Sequence, residues 1–204
     1  MLLLWVAAWG AQAAERGVSL DGQNASEAVR AVARLALGER DAKGLPFAIV
    51  DKKDARLYVF GRDGRLLGAS SALIGSAVGD ESAPGIGARP SSTIAPHERT
   101  TPAGRFASEP GRNLDGEAVV WVDYDAGVAI HRLRPAPAWQ RREQRLVSAS
   151  PRERRISLGC IIVSESFYDA VVAPTLGRKR GVVYVLPDTR SLASVFGRQS
   201  AADL

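Results

Sequence analysis

Two side chains in this sequence have types and surroundings suited to covalent chemistry. Cys160 is the only cysteine among 204 residues, and His131 is one of only two histidines. Cys160 follows Gly159 and precedes the apolar, β-branched run Ile161-Ile162-Val163. His131 ends a second apolar run, Val128-Ala129-Ile130-His131. A thiolate attacks carbonyls where a thiol does not, and an imidazole can take the thiol proton and later return it to a leaving amine. A glycine just before the thiol can adopt backbone angles closed to other residues and so aim amide N–H groups at a developing oxyanion. This is the composition of a cysteine nucleophile site. Taken singly, each residue also fits a structural role: free cysteines are often buried and inert, and a histidine at a strand end is often satisfied locally.

The elements that must position these groups follow from pattern. Asn24 with Glu27 resembles a capping box, and Val29, Val32, Ala33 and Ala36 recur at helical spacing, which predicts an amphipathic helix over 25–37. From Pro46 the period changes. Strands are expected at 47–52, 56–60 and 65–74, with Asp63-Gly64 as a hairpin turn, forming an antiparallel meander. Further strands are expected from Thr101-Pro102-Ala103-Gly104-Arg105-Phe106, over 118–123 and 128–132, through the cysteine at 156–163, and at 181–186. Ser164 is expected to cap a helix with the stripe Phe167, Tyr168, Val171 and Val172, ending at Pro174. Short helices are expected at 139–147 and after Ser191.

Between them, 75–103 is rich in Gly and Pro, and a loop this long in a compact domain is either functional or disordered. Its Gly85-Ile86-Gly87 lacks the third glycine and the following helix of a dinucleotide fingerprint. His97 in this loop reads as a solvent-exposed histidine.

Size and composition bound the rest. The chain is long enough for one domain with a sizeable core, and twenty glycines and eleven prolines favour a β-rich architecture. The expected divisions are 1–14, 15–45 for the helix and lead-in, 46–187 for the main domain and 188–204 for a tail. Residues 1–14 are uncharged, with a short apolar stretch from Leu2 to Trp9 followed by Ala11-Gln12-Ala13, the pattern of a secretory signal peptide lacking its usual basic start. A net charge of +5 is spread over scattered arginines, concentrated locally only over 132–155, and no nucleic-acid motif accompanies it. One cysteine excludes an intrachain disulfide, and two histidines with one cysteine lack compact metal-ligand spacing. No metal and no cofactor is expected.

Three stretches together carry a resemblance: Ala129-Ile130-His131; Arg155-Ile156-Ser157-Leu158-Gly159-Cys160-Ile161-Ile162-Val163; and Thr101-Pro102-Ala103-Gly104-Arg105-Phe106. They resemble the L,D-transpeptidase catalytic domain over about residues 46–187. The resemblance implies a mostly β fold with a few peripheral helices, its mixed and antiparallel sheets packed as a sandwich or open barrel. It implies an exported enzyme of the periplasm or cell envelope that remodels peptidoglycan. Cys160 would be the nucleophile and His131 its base and proton donor, oriented by the backbone carbonyl of Arg132. Backbone amides of Gly159 and Cys160 would form the oxyanion hole, with Ser157 in support. The family cleaves the bond between the third and fourth residues of a stem peptide, forms a thioester, and passes the acyl group to an amine of a second stem peptide. Carbapenem β-lactams would be covalent inhibitors. Three departures stand out: Leu158 replaces a second histidine, Ile162 replaces Asn or Arg, and the 29 positions from His131 to Cys160 include an Arg-rich insertion, 135–154. Two other activities stay open, an L,D-carboxypeptidase using water as acceptor and a non-catalytic peptidoglycan-binding module.

Overall fold

A computed structural model describes residue 20, residues 24–38 and residues 41–197. The expected signal segment, 1–14, and the end of the tail, 198–204, lie outside the described residues. Among the described residues no helix is long and apolar enough to cross a membrane.

Helix α1 (Glu27–Gly38) buries Val29, Val32, Ala33 and Ala36, the expected stripe. Its cap is Ser26, not Asn24. Ser26 Oγ accepts from the Val29 N–H at 3.2 Å and donates to Asp51 Oδ2 at 2.6 Å, which ties the helix start to the first strand. Asn24 lies too far ahead of the first turn and instead offers its carbonyl to Tyr58 Oη at 3.2 Å.

Strands β1 (Phe47–Asp51), β2 (Arg56–Phe60) and β3 (Leu66–Ser71) form the antiparallel meander. Gly64 closes the β2–β3 turn at φ +81°, where a side chain is disfavoured. The third strand is shorter than the expected 65–74. Ala72 and Leu73 leave it, and Ile74–Gly75 becomes β4, parallel to β8 (Arg155–Ser157) in a separate two-stranded sheet. The cause is a change of partner. Leu73 exchanges both backbone hydrogen bonds with Ile162, at 2.7 and 2.8 Å, a residue far along the chain.

The main sheet has eight strands in the order β3-β2-β1-β10-β5-β6-β7-β9. Here β5 is Gly104–Arg112, β6 Ala118–Asp123, β7 Val128–Arg132, β9 Ile161–Val163 and β10 Gly181–Val185. Most neighbours are antiparallel; β1–β10 and β7–β9 are parallel. The Leu73–Ile162 bridge joins the chain leaving edge strand β3 to edge strand β9, so the sheet curls until its edges nearly meet.

Alternation sorts the side chains between the two faces. Val50, Leu57, Val59, Val183 and Val185 point inward and share one core with Val120, Ile130 and Ile161 from the opposite end of the sheet. Phe47, Ile49, Tyr58, Phe60, Val182 and Tyr184 point outward and are covered by α1 and by Phe196 of α5 (Leu192–Phe196). Burial on both faces is why β1 and β10 are continuous apolar runs.

Two expected helices are broken. The stretch 139–147 splits into a 3₁₀ turn at Ala138–Gln140 and α2 (Arg142–Leu146), because Arg141 between them takes φ +48°. Ser164 does cap the next helix, its Oγ accepting from the Phe167 N–H at 3.2 Å. That helix runs as α3 (Glu165–Phe167), a π turn over Tyr168–Val172 and α4 (Ala173–Thr175). Pro174 lies inside it, not at its end. Having no N–H to give the carbonyl four residues back, it is accommodated by the wider turn.

Candidate active site

The apolar run around Cys160 is not one strand of 156–163. It is β8 and β9 joined by a sharp turn, Leu158-Gly159-Cys160, and the two strands belong to different sheets. Gly159 makes the break at φ +143°. A Cβ there would lie 2.8 Å from the Thr100 carbonyl oxygen, so both backbone angle and space demand glycine.

Ser157 closes this turn from within. Its buried hydroxyl donates to the Cys160 carbonyl at 2.7 Å and accepts from the Gly159 N–H at 3.1 Å. The Gly159 amide, expected beside Cys160 in the oxyanion hole, is engaged with Ser157 in this structure. The Cys160 N–H makes no hydrogen bond among the described residues.

Thr101 holds the turn from outside. Its hydroxyl donates to the Gly159 carbonyl at 2.8 Å and accepts from the Gly75 N–H at 2.9 Å. With both of its peptide groups bonded, Gly159 has a fixed orientation, and so has the Cys160 N–H that follows.

His131 sits on β7 opposite Ile162 of β9, in parallel register. Its neighbour Ile130 faces the inner core, while Leu133, two residues on, packs against the Leu73–Leu146–Ile162 cluster that Cys160 also touches. His131 and Cys160 therefore share one face of two adjacent strands. Nδ1 lies 2.8 Å from the Arg132 carbonyl oxygen. In the tautomer that donates through Nδ1, the Nε2 lone pair is left as the basic site. The Arg132 side chain is itself fixed, pairing with Asp169 at 2.8 Å and stacking over the Tyr168 ring.

Cys160 Sγ donates to the Gly127 carbonyl, 3.5 Å away, and among the described residues no hydrogen bond joins it to His131. The electrostatics match a resting neutral pair. Burial pushes the Cys160 thiol up, opposed by the Ala129 amide and by the charges of Arg134 and Arg142. Burial lowers His131 to about 4; its bond to the Arg132 carbonyl opposes this, while Arg134 and Arg142 add to it. At neutral pH the thiol keeps its proton and the imidazole is unprotonated.

Behind the turn lies a buried ion network. Lys52 is fully buried, and its Nζ reaches the carbonyls of Gly79 and Thr101 (2.5 and 2.9 Å), Asp80 Oδ1 at 2.9 Å and Asp188 Oδ2 at 3.4 Å. Asp80 also receives the amides of Asp188, Thr189 and Arg190. Burial pushes its carboxyl up, but hydrogen bonds from Thr189, Lys52 and these amides win and hold it far below the usual range. Arg155, at the start of β8, binds Asp188 Oδ1 at 2.5 Å and the Lys52 carbonyl at 3.1 Å. The network thus pins the loop 75–103, which carries Thr101, to the strand that leads into the cysteine.

The sequence singled out Cys160, His131, Gly159, Ser157 and Arg132; Ser157, Gly159 and Cys160 form the turn, while His131 and Arg132 lie on β7 beside β9, the Arg132 carbonyl against His131 Nδ1. Sequence reasoning assigned no role to Thr101, Lys52, Asp80, Arg134 or Arg142. The signal for Thr101 was its place in Thr-Pro-Ala-Gly-Arg-Phe; nothing local marks the others. His97 lies exposed in the turn Pro96–Glu98. Among the described residues no group of three or more His, Cys, Asp or Glu side chains could hold a metal ion.

No protein-family model matches the chain, and no curated protein does. Among solved structures, the chain is similar to the helical cell shape determining protein Pgp2 from Campylobacter jejuni, at 17% identity and a TM-score of 0.47, over 72% of this chain and 49% of that one. It is similar to an L,D-transpeptidase from Xylanimonas cellulosilytica at 17% identity and a TM-score of 0.42, over 70% and 60% of the two chains. It is also similar to the catalytic domain of an E. faecium L,D-transpeptidase at 21% identity and a TM-score of 0.36, over 69% and 95%. The chain spans about half the length of the Pgp2 structure.

Proposed function

We propose that this protein is an exported, cysteine-dependent acyltransferase acting on peptidoglycan stem peptides, an L,D-transpeptidase in reaction type. The observation that carries the reading is the Ser157–Cys160 turn. It holds the Cys160 backbone, with an amide free of hydrogen bonds among the described residues, in the turn leading into the strand beside a histidine whose Nδ1 is already committed to a carbonyl.

In this reading His131 Nε2 takes the Cys160 proton, and the thiolate attacks the carbonyl of the third stem residue. The Cys160 N–H receives the oxyanion. As the tetrahedral species collapses, the amide C–N bond breaks and the leaving amine takes the proton from His131, leaving a thioester. A second stem-peptide amine then attacks the thioester, giving its proton to His131; the thiolate leaves and recovers it. Water in place of the amine would make the same site a carboxypeptidase.

Intact-mass spectrometry with a carbapenem tests the first half. The wild-type protein gains one covalent adduct and Cys160→Ala gains none; an unmodified wild-type protein would count against the reading. Purified muropeptides test the second half, dimers reporting transfer and shortened tripeptides hydrolysis. A second reading, a non-catalytic peptidoglycan-binding module, is favoured by one observation: the sulfur is desolvated and bonded to Gly127 instead of His131. Iodoacetamide labelling no faster in native than in unfolded protein would support that alternative.

A further inference from the structure

We propose that Arg142, with Arg134 beside it, forms a carboxylate-binding site at the Cys160–His131 pair, and that it recognises the free α-carboxylate of the residue that leaves the donor peptide. This rests on the acyl-transfer reading above and names how the site would choose its substrate.

The placement comes from the insertion 135–154. In α2, Leu146 packs on Leu73 and Ile162 in the small apolar cluster that Cys160 adjoins. Arg142 lies four residues earlier in the same helix, and side chains at i and i+4 share a face. The residue that docks α2 therefore also brings the Arg142 side chain to the nucleophile. Arg141, in its left-handed conformation, starts α2 at this point.

The guanidinium is oriented but not neutralised. Its Nε donates to Gln140 Oε1 at 2.6 Å. Among the described residues no Asp or Glu pairs with it. Arg134 differs, being held by Asp115 at 3.4 Å and by Glu117. Burial lowers the pKa of Arg142, and the neighbouring Arg134 charge lowers it further. The same two cations act on both Cys160 and His131, which places all four groups in one electrostatic neighbourhood.

A half-buried cation without an anion is unfavourable, and two adjacent guanidiniums more so. An anion that arrives with the substrate removes that penalty. A carboxylate suits the open Nη groups, because a guanidinium can bind it through two parallel N–H···O bonds. In the donor peptide the terminal carboxylate lies one residue beyond the attacked carbonyl, so a cation next to Cys160 is within its reach. Ile162 leaves the strand itself without a cation here, and the insertion supplies one from another element.

The test uses the full chain and two donors, a stem tetrapeptide with a free C-terminal carboxylate and the same peptide as its C-terminal amide. Release of the terminal residue gives kcat/KM for each. The wild-type protein is expected to favour the acid about 10- to 100-fold, as a charge-assisted bidentate pair allows. Arg142→Gln should bring the acid-to-amide ratio close to one, and Arg142→Lys should leave it in between. A wild-type ratio near one overturns the proposal, as does an unchanged ratio in Arg142→Gln, which would assign Arg142 to thiolate stabilisation or packing. If the wild-type protein turns over neither peptide and takes no carbapenem adduct, the acyl-transfer reading itself fails.

Discussion

Thr101→Val isolates the support of the Cys160 turn with almost no change in shape. The wild-type hydroxyl is buried and makes two bonds, 2.8 Å to the Gly159 carbonyl and 2.9 Å from the Gly75 N–H. Valine replaces it with a methyl group and leaves one buried acceptor and one buried donor unpaired. Each unpaired group costs roughly 1–3 kcal/mol, so the loss should be about 2–6 kcal/mol. That is a large share of the roughly 5–15 kcal/mol that holds a domain folded. Catalysis should suffer separately, because the Gly159 carbonyl belongs to the same peptide unit as the Cys160 N–H. One oxyanion donor is worth about 3 kcal/mol of transition-state stabilisation, and tilting that peptide forfeits part of it. Carbapenem acylation followed by intact mass should therefore slow by about 10- to 100-fold, under conditions where urea unfolding shows the variant still folded. Thr101→Ser restores the hydroxyl and should recover most of both losses. Unfolding within about 0.5 kcal/mol of wild type, with acylation within about twofold, would refute the argument that Thr101 positions the turn.

Gly159→Ala should be worse for the turn than for the rest of the fold. A strained φ costs about 1–3 kcal/mol, and the new Cβ must displace the Thr100 backbone, so acylation should be lost while circular dichroism keeps the β signature. Lys52→Met leaves Asp80 buried without its cation and Asp188 with Arg155 alone, and should cost about 3–5 kcal/mol in chemical denaturation; a change under about 1 kcal/mol would mean that Arg155 alone neutralises the cluster. The base form of His131 is the neutral one, and its pKa is lowered to about 4. The acid limb of kcat/KM should therefore fall near pH 4, well below an ordinary histidine, and an inflection near 6.5 would contradict the buried site. Asp80 is held in its charged form, so its contribution is complete above the unfolded carboxyl pKa and is lost as pH falls through the lower folded value. Thermal unfolding below pH 4 should show this loss in wild type and lack it in Asp80→Asn.

Several features were legible because they depend on near neighbours alone. The periodicity of Val29, Val32, Ala33 and Ala36 specified α1 whatever it packs against. The alternation and turn chemistry of 47–71 specified the meander, and a near-continuous apolar run specified β10 as central. Cys160 and His131 stood out as candidates for a reactive pair from rarity, residue type and the adjoining glycine. What the tertiary structure decided involves partners far apart in the chain. The run 156–163 reads as one strand, yet Gly159 divides it, because β8 finds β4 while β9 finds β7 and Leu73. Thr101 meets Gly159 across 58 positions and Lys52 meets Asp80 across 28, contacts that no local pattern encodes. Arg142 looks like one more solvated arginine until Leu146 docks its helix beside the thiol. Local propensity records what a residue prefers; which buried donor, acceptor or charge it must satisfy is settled only when folding removes the water between distant segments.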